Sequence, residues 1–309
     1  MSILPPHRLL LTCLWPLAAC ATGDPYTPSS GDDDDDEGAP DAAPGAPDAA
    51  PDTPDAAPGA PDATPDAGPA TAGAAPLLLS EIVLAPTGAE LIEIVNPTGA
   101  AVALDTYYLT DAPTYFRLPA GAATIDSADF IVRFPAGATI PAGGVVTVAL
   151  DTAAAFTTAH GAAPTYSIAD GTMTVVAASG VPTLTNGGEL IALLHWDGVA
   201  DLVTDVDLLL AGTPSVANGL APKSGAAVDG PDADGVTSAY VADAATLPPQ
   251  AAAPGSGLST KRVLLEAGHE TQAGTGNGVD GHDETSEVTT TTWDATFTAP
   301  TPGTTTLPL

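Results

Sequence analysis

Beyond residue 76 the chain is a succession of short apolar segments separated by Gly, Pro, Asp and Asn. That texture predicts β-strands joined by turns. The candidate strands are residues 77–84, 90–95, 102–110, 129–134, 145–150, 173–178, 189–195, 202–210, 236–241, 260–265 and 290–298. In Glu90-Leu91-Ile92-Glu93-Ile94-Val95, Ile92 and Ile94 share one face, while Leu91 and Val95 flank Glu93 on the other. Two partly apolar faces predict a central strand. Trp293, Ala295 and Phe297 alternate in the last segment. With aromatic residues at 5% of the chain, that segment is expected to supply much of the aromatic core. Only residues 151–161 read as a helix, with Asp151 or Thr152 to cap it and Gly161 to stop it. The expected class is therefore all-β with one short helix.

The first 76 residues follow other patterns. Arg8 precedes an apolar run over residues 9–17, followed by Ala18, Ala19 and Cys20. This is the layout of a secretory signal, and the run is shorter than the roughly 20 residues that a membrane span requires. Leu17-Ala18-Ala19-Cys20 resembles a bacterial lipobox. The resemblance implies removal of residues 1–19 and acylation of Cys20 as the new amino terminus; the alternative is an ordinary cleaved signal that happens to contain a cysteine. Of the two cysteines, Cys13 lies inside the removed segment. No thiol then remains for a disulfide or a Cys-based zinc site. Residues 20–76 contain the acidic run Asp32 to Glu37 and varied repeats of Ala-Pro-Asp-Ala-Ala-Pro-Gly. Too little apolar surface is present to offset chain entropy, so a disordered stalk is expected, reaching on the order of 100 Å if polyproline-like. Calcium buffering is the other use such an acidic run serves. The expected organisation is a signal over 1–19, a lipidated stalk over 20–76 and one folded domain over 77–309.

Charge narrows the partners. The chain has 6 Lys and Arg against 38 Asp and Glu, a formal charge of -32. Residues 21–76 hold 13 of those acids, which leaves 25 acids against 5 bases, or about -20, in the domain. Such a polyanion offers no basic patch for nucleic acid, and anionic lipid headgroups are disfavoured for the same reason.

Several ordered blocks together resemble one family. Leu79-Ser80-Glu81-Ile82-Val83, then Glu90 through Asn96-Pro97, then Val102-Ala103-Leu104-Asp105 through Tyr108-Leu109-Thr110-Asp111 are similar to the opening of a bacterial lamin tail domain. Phe134-Pro135-Ala136-Gly137, Ile140 to Gly144, Leu184 to Glu189 and Pro300-Thr301-Pro302-Gly303 are similar to its later segments. The resemblance implies an immunoglobulin-like β-sandwich and names no ligand. Thr106-Tyr107 stands where the family usually has Gly-Trp, and residues 211–257 are longer than the minimal domain.

Catalytic constellations are not legible. There is no Gly-x-Ser-x-Gly elbow, since Gly255-Ser256-Gly257 lacks the spacing, and no lysine follows the glycines at 274–278. His160, His195, His269 and His282 show no metal-ligand spacing on one element. His160 and His195 end a helix and a strand, where capping or solvent exposure is expected. The expectation is a non-enzymatic protein; a secreted hydrolase would need these histidines and acids to converge. Asp229, Asp232 and Asp234, and again Asp280, Asp283, Glu284 and Glu287, gather hard oxygen ligands suited to calcium. Neither has EF-hand spacing, and Asp-Gly pairs form turns in any case. The chain is thus expected in a bacterial cell envelope, at the outer membrane or cell surface. There it would be held to the membrane by its lipid and meet an envelope or extracellular protein or polysaccharide through its loops; a spacer without ligand is the competing reading.

Overall fold

The computed structural model describes residues 74, 76–212, 223–244, 247–272 and 274–309. The expected signal, Cys20 and most of the stalk lie outside the described residues. The strands are β1 (Leu78–Val83), β2 (Leu91–Val95), β3 (Val102–Ala103), β4 (Tyr107–Thr110), β5 (Phe130–Arg133), β6 (Thr139–Ile140) and β7 (Val145–Ala149). After helix α1 (Ala153–His160) come β8 (Tyr166–Ser167), β9 (Thr174–Ala178), β10 (Gly188–His195), β11 (Thr204–Gly212), β12 (Ala227–Val228), β13 (Ser238–Ala239) and β14 (Thr260–Lys261). A four-residue helix, α2 (Thr289–Thr292), follows.

Two five-stranded sheets dominate. The first has the order β14-β1-β2-β7-β8 and the second β11-β10-β4-β5-β9. All neighbours are antiparallel except β7 and β8. One buried cluster takes side chains from both sheets, including Ile92, Ile94 and Val148 from the first and Leu109, Val132 and Leu193 from the second. Burying each such side chain contributes about 1.5–3 kcal/mol. β2 is central, as its two apolar faces require. Ile92 and Ile94 enter the shared cluster, whereas Leu91 packs with Phe156 of α1 and Val95 with Leu78 and Leu307. The second sheet has a second apolar layer, in which Tyr108, Leu190, Leu194 and Leu208 meet Tyr115, Phe116 and Tyr240 from loops. Burial on two faces is the reason residues 189–194 form an almost unbroken apolar run.

The ends of the domain are held by buried acids. Glu81 accepts from Thr301 N at 2.9 Å and Ser259 Oγ at 2.5 Å; Glu93 accepts from Gly303 N at 2.7 Å and Ser80 Oγ at 2.8 Å. The closing Pro-Thr-Pro-Gly segment is therefore tied to the first two strands. Asn96 Nδ2 donates to the carbonyls of Ala100, Ile140 and Pro141, joining the loop after β2 to β6. At the other end Ala74 packs against the shared cluster.

Helix α1 has the expected caps: Thr152 accepts from Ala155 N at 3.2 Å, and Gly161 sits at φ 74. Four strand expectations change. Residues 102–110 divide into β3 and β4, because Tyr107 N turns back to Leu104 O at 2.9 Å. β3 pairs with β6, and β4 enters the second sheet. Residues 236–241 form a strand only at β13, and 260–265 only at β14, beyond which the amides of Val263 and Leu264 both donate to Thr292 O. Residues 290–298 are not a strand. They begin in α2, closed by Trp293 N to Thr289 O, and their β-pairing is limited to isolated bridges at Trp293 and Thr298. Trp293 alone of the alternating trio reaches the core; Ala295 is exposed and Phe297 half-buried. The single-helix expectation also gains α2 and 3₁₀ turns at Tyr115–Arg117, Val279–Gly281 and Glu284–Ser286. Among the described residues no helix is long and apolar enough to cross a membrane.

Candidate functional site

The segment after β14 returns on itself and lies against β11. Thr271 N donates to Ser286 O, Val288 N to His269 O and Gly278 N to His282 O, while Asp205 N of β11 donates to Asn277 O. At its root is Arg262, whose side chain has no exposed surface. Its guanidinium donates to Leu79 O at 2.9 Å, to both oxygens of Asp207 at 2.7 Å and to Glu287 Oε1 at 2.6 Å. It also stands 5.1 Å from the Trp293 ring. Asp207 Oδ2 accepts in addition from Leu79 N at 2.6 Å, so β1, β11 and β14 meet at this one charge pair.

Beyond Arg262 the same segment gathers Glu266, Glu270, His282 and Glu284, each with one ligand atom within 4.8 Å of the others. Three of them, Glu266, His282 and Glu284, line a cavity of about 40 Å³ together with Pro76, Val206, Val279 and Asp280. His282 Nδ1 lies 2.7 Å from Glu270 Oε1 and 3.7 Å from Glu266 Oε1. Hydrogen bonding to Glu266 and Glu270 raises the His282 pKa to about 9 against the opposing effect of burial. Burial and the neighbouring carboxyl of Glu266 push Glu270 up to about 7 and Glu284 well above the carboxylate range. For Glu266 burial acts upward too, but the hydrogen bonds from His282, Glu284 and Glu270 outweigh it and bring the group to about 2. The backbone is shaped around this cluster at Gly276 and Gly278. A Cβ at Gly276 would collide with the His282 carbonyl, and one at Gly278 would lie 2.6 Å from Glu284 Oε1.

A second acidic group forms at the β10–β11 turn, where Asp201 meets Asp229 and Asp232. Asp201 Oδ1 accepts from Gly230 N at 2.6 Å, while Asp232 and Asp234 close turns by accepting from Asp234 N and Val236 N. Of the first predicted acidic loop, then, Asp229 and Asp232 come together with a residue the sequence reading did not single out, and Asp234 serves a turn. The second predicted loop is divided. Asp280 is exposed, Asp283 caps the 3₁₀ turn through Thr285 N, Glu284 joins the His282 cluster, and Glu287 pairs with Arg262.

The histidines have separate partners. His160 Nε2 lies 2.8 Å from Ala89 O, and His282 belongs to the glutamate cluster. His195 is buried rather than exposed, edge-on to Tyr107 at 5.1 Å, and desolvation lowers its pKa. Glu266, Glu270, Asp201 and Arg262 were not legible as functional positions. The available signal was the pair of short spacings Glu266-x₃-Glu270 and His282-x-Glu284, which gain meaning only once the segment folds back. Comparison of the chain with protein-family models, curated proteins and solved structures finds no match.

Proposed function

We propose that the chain is a lipid-anchored protein of a bacterial cell envelope, which displays a lamin-tail-like, immunoglobulin-like β-sandwich on an acidic stalk for non-enzymatic binding. The observation that carries this reading is the order of its parts: an apolar run ending in Leu17-Ala18-Ala19-Cys20, a Pro- and Asp-rich segment, then a thiol-free β-rich domain. The cluster shared by the two five-stranded sheets supports the sandwich. Loops on a rigid scaffold are where binding normally resides, and binding is placed there on that ground, while Tyr115, Phe116 and Tyr240 are buried against the second sheet and serve its packing. Several acyl chains at about 0.8 kcal/mol per buried CH₂ would make attachment at Cys20 durable. The ligand class is an envelope or extracellular protein or polysaccharide. The test expresses the full chain and Cys20→Ser in a bacterial host and separates membrane from soluble fractions. The anchor reading expects the wild-type chain in detergent-extracted membranes with an acylated Cys20 by mass spectrometry, and the variant in the soluble fraction or unprocessed. An unmodified mature amino terminus at another residue overturns it. Binding is tested by capture of envelope fractions on the purified wild-type chain, with equal recovery on an unrelated acidic protein as the contrary result.

A further inference from the structure

We propose that Glu266, Glu270, His282 and Glu284 form a binding site for one zinc ion, which fastens the segment after β14 onto β11. The inference goes beyond the display role and stands without it. Four observations carry it. Three carboxylates and one imidazole offer ligand atoms within 4.8 Å of one another. Two of the carboxylates are more than nine-tenths buried, Glu284 at 3% exposure and Glu266 at 8%. Each has an oxygen that no N–H or hydroxyl donor reaches, Glu284 Oε2 and Glu266 Oε1, so that only a proton shared between the carboxyls or a cation satisfies them, and both residues line the cavity of about 40 Å³. A buried carboxylate oxygen with neither proton nor cation is costly, and a bound divalent ion relieves both carboxyls at once. Finally, Gly278 lies so close to Glu284 that any side chain there would strike the carboxyl.

The donor set selects the ion. Zinc takes four nitrogen or oxygen ligands at about 2.0–2.2 Å, which places neighbouring ligand atoms roughly 3.3 Å apart. The observed His282 separations of 2.7 and 3.7 Å bracket that spacing. Calcium needs 6–8 oxygens at about 2.3–2.6 Å and seldom takes imidazole, and magnesium keeps most of its water. Charge agrees, since three carboxylates and a divalent ion leave one negative charge near the Arg262 guanidinium. Entry is from the His282 side, which is 36% exposed, while the Glu270 side chain is 2% exposed.

The test uses the untagged full chain, stripped with chelator, reloaded with zinc and passed through gel filtration. The expected result is one zinc per chain and a melting temperature raised by about 5–10 °C at a hundredfold excess of free zinc over Kd. His282→Ala and Glu284→Gln should each weaken zinc binding tenfold or more and remove the rise, whereas Asp229→Asn should not. X-ray absorption of the zinc-loaded wild-type chain should show an imidazole in a nitrogen and oxygen shell, a readout that survives if a variant fails to fold. Less than half an equivalent of zinc retained, binding undiminished in both variants, a shell of oxygen alone, or a larger rise with calcium than with zinc would overturn the proposal.

Discussion

Arg262 joins two buried acids from separate segments of the chain. It lies at 1% exposure, and both of its acidic partners, Asp207 and Glu287, are as deeply buried. Removing one member of such a group leaves the others buried without their partner, which typically costs about 3–5 kcal/mol, whereas replacing all members with matched apolar groups is often neutral. Arg262→Met is thus expected to lower unfolding free energy in urea by about 3–5 kcal/mol. Adding Asp207→Leu and Glu287→Leu should recover part of that loss; a single variant no less stable than wild type would contradict this account. Glu93 makes a different statement. Burial raises its pKa to about 7, against hydrogen bonds from Ser80 and Gly303, with Glu81 raising it and Lys261 lowering it. A folded value above the unfolded value of about 4.5 means the native state holds the proton more tightly. The resulting stability is complete below pH 4.5 and is lost as pH rises through 7, by roughly 1–3 kcal/mol. Unfolding measured across that window should show the decline, and Glu93→Gln, which cannot titrate, should make it shallower, the remainder belonging to Glu90 and Glu189, which burial also raises to about 7.

At the scale of elements, the pairings that sequence pattern exposes are those set by two-face burial or by capping. β2 declares itself through alternating isoleucines against leucine and valine, and β10 through a nearly continuous apolar run that only burial on both faces explains. α1 is announced by Thr152 and Gly161. Because Thr152 satisfies Ala155 N at the start of an eight-residue helix, Thr152→Ala should destabilise the domain by about 1 kcal/mol, read from the urea midpoint at unchanged slope. What the pattern could not show follows from tertiary partners. The segment at 290–298 alternates as a strand would, yet Arg262 draws Trp293 inward, and the preceding threonines close a turn of helix instead. The two-residue strands β6, β8 and β12 carry too few positions to form a pattern at all. The same limit hid the glutamate cluster. Glu266 and Glu284 look like solvated loop acids along the chain, and are buried in a segment that folds back closely at Gly276 and Gly278. Edge strands follow their own logic. β11 is sheltered by bridges from Asp205 to Gly278 and from Ala211 to Ala251, while β9 ends its sheet with Val175 and Val176 half in solvent.

For the whole molecule the question is where the domain begins. Composition alone places the boundary at residue 77, where the apolar texture starts. The contacts move it slightly earlier, because Ala74 packs against the shared cluster and Pro76 lines the cavity beside Glu266 and Glu284. Leu77 itself has no exposed surface. A chain cut to begin there would carry its charged amino group on a fully buried residue, and desolvating a charge is unfavourable unless it is paired. The Pro- and Asp-rich residues before 70 have a composition that buries almost nothing, so they are expected to contribute only reach and charge. Three chains separate these effects: the full chain, one beginning at Ala70 and one beginning at Leu77. The first two should melt within about 1–2 °C of each other. The third should melt several degrees lower, since a loss of 1–2 kcal/mol in a domain of this size corresponds to about 2–4 °C per kcal/mol. Raising salt should narrow no more than a small part of that gap, because the lost contacts are apolar and the buried amine is poorly screened. A chain beginning at Ala70 that melts as low as the one beginning at Leu77 would mean that the stalk itself stabilises the domain, and the picture of an inert spacer would have to be given up.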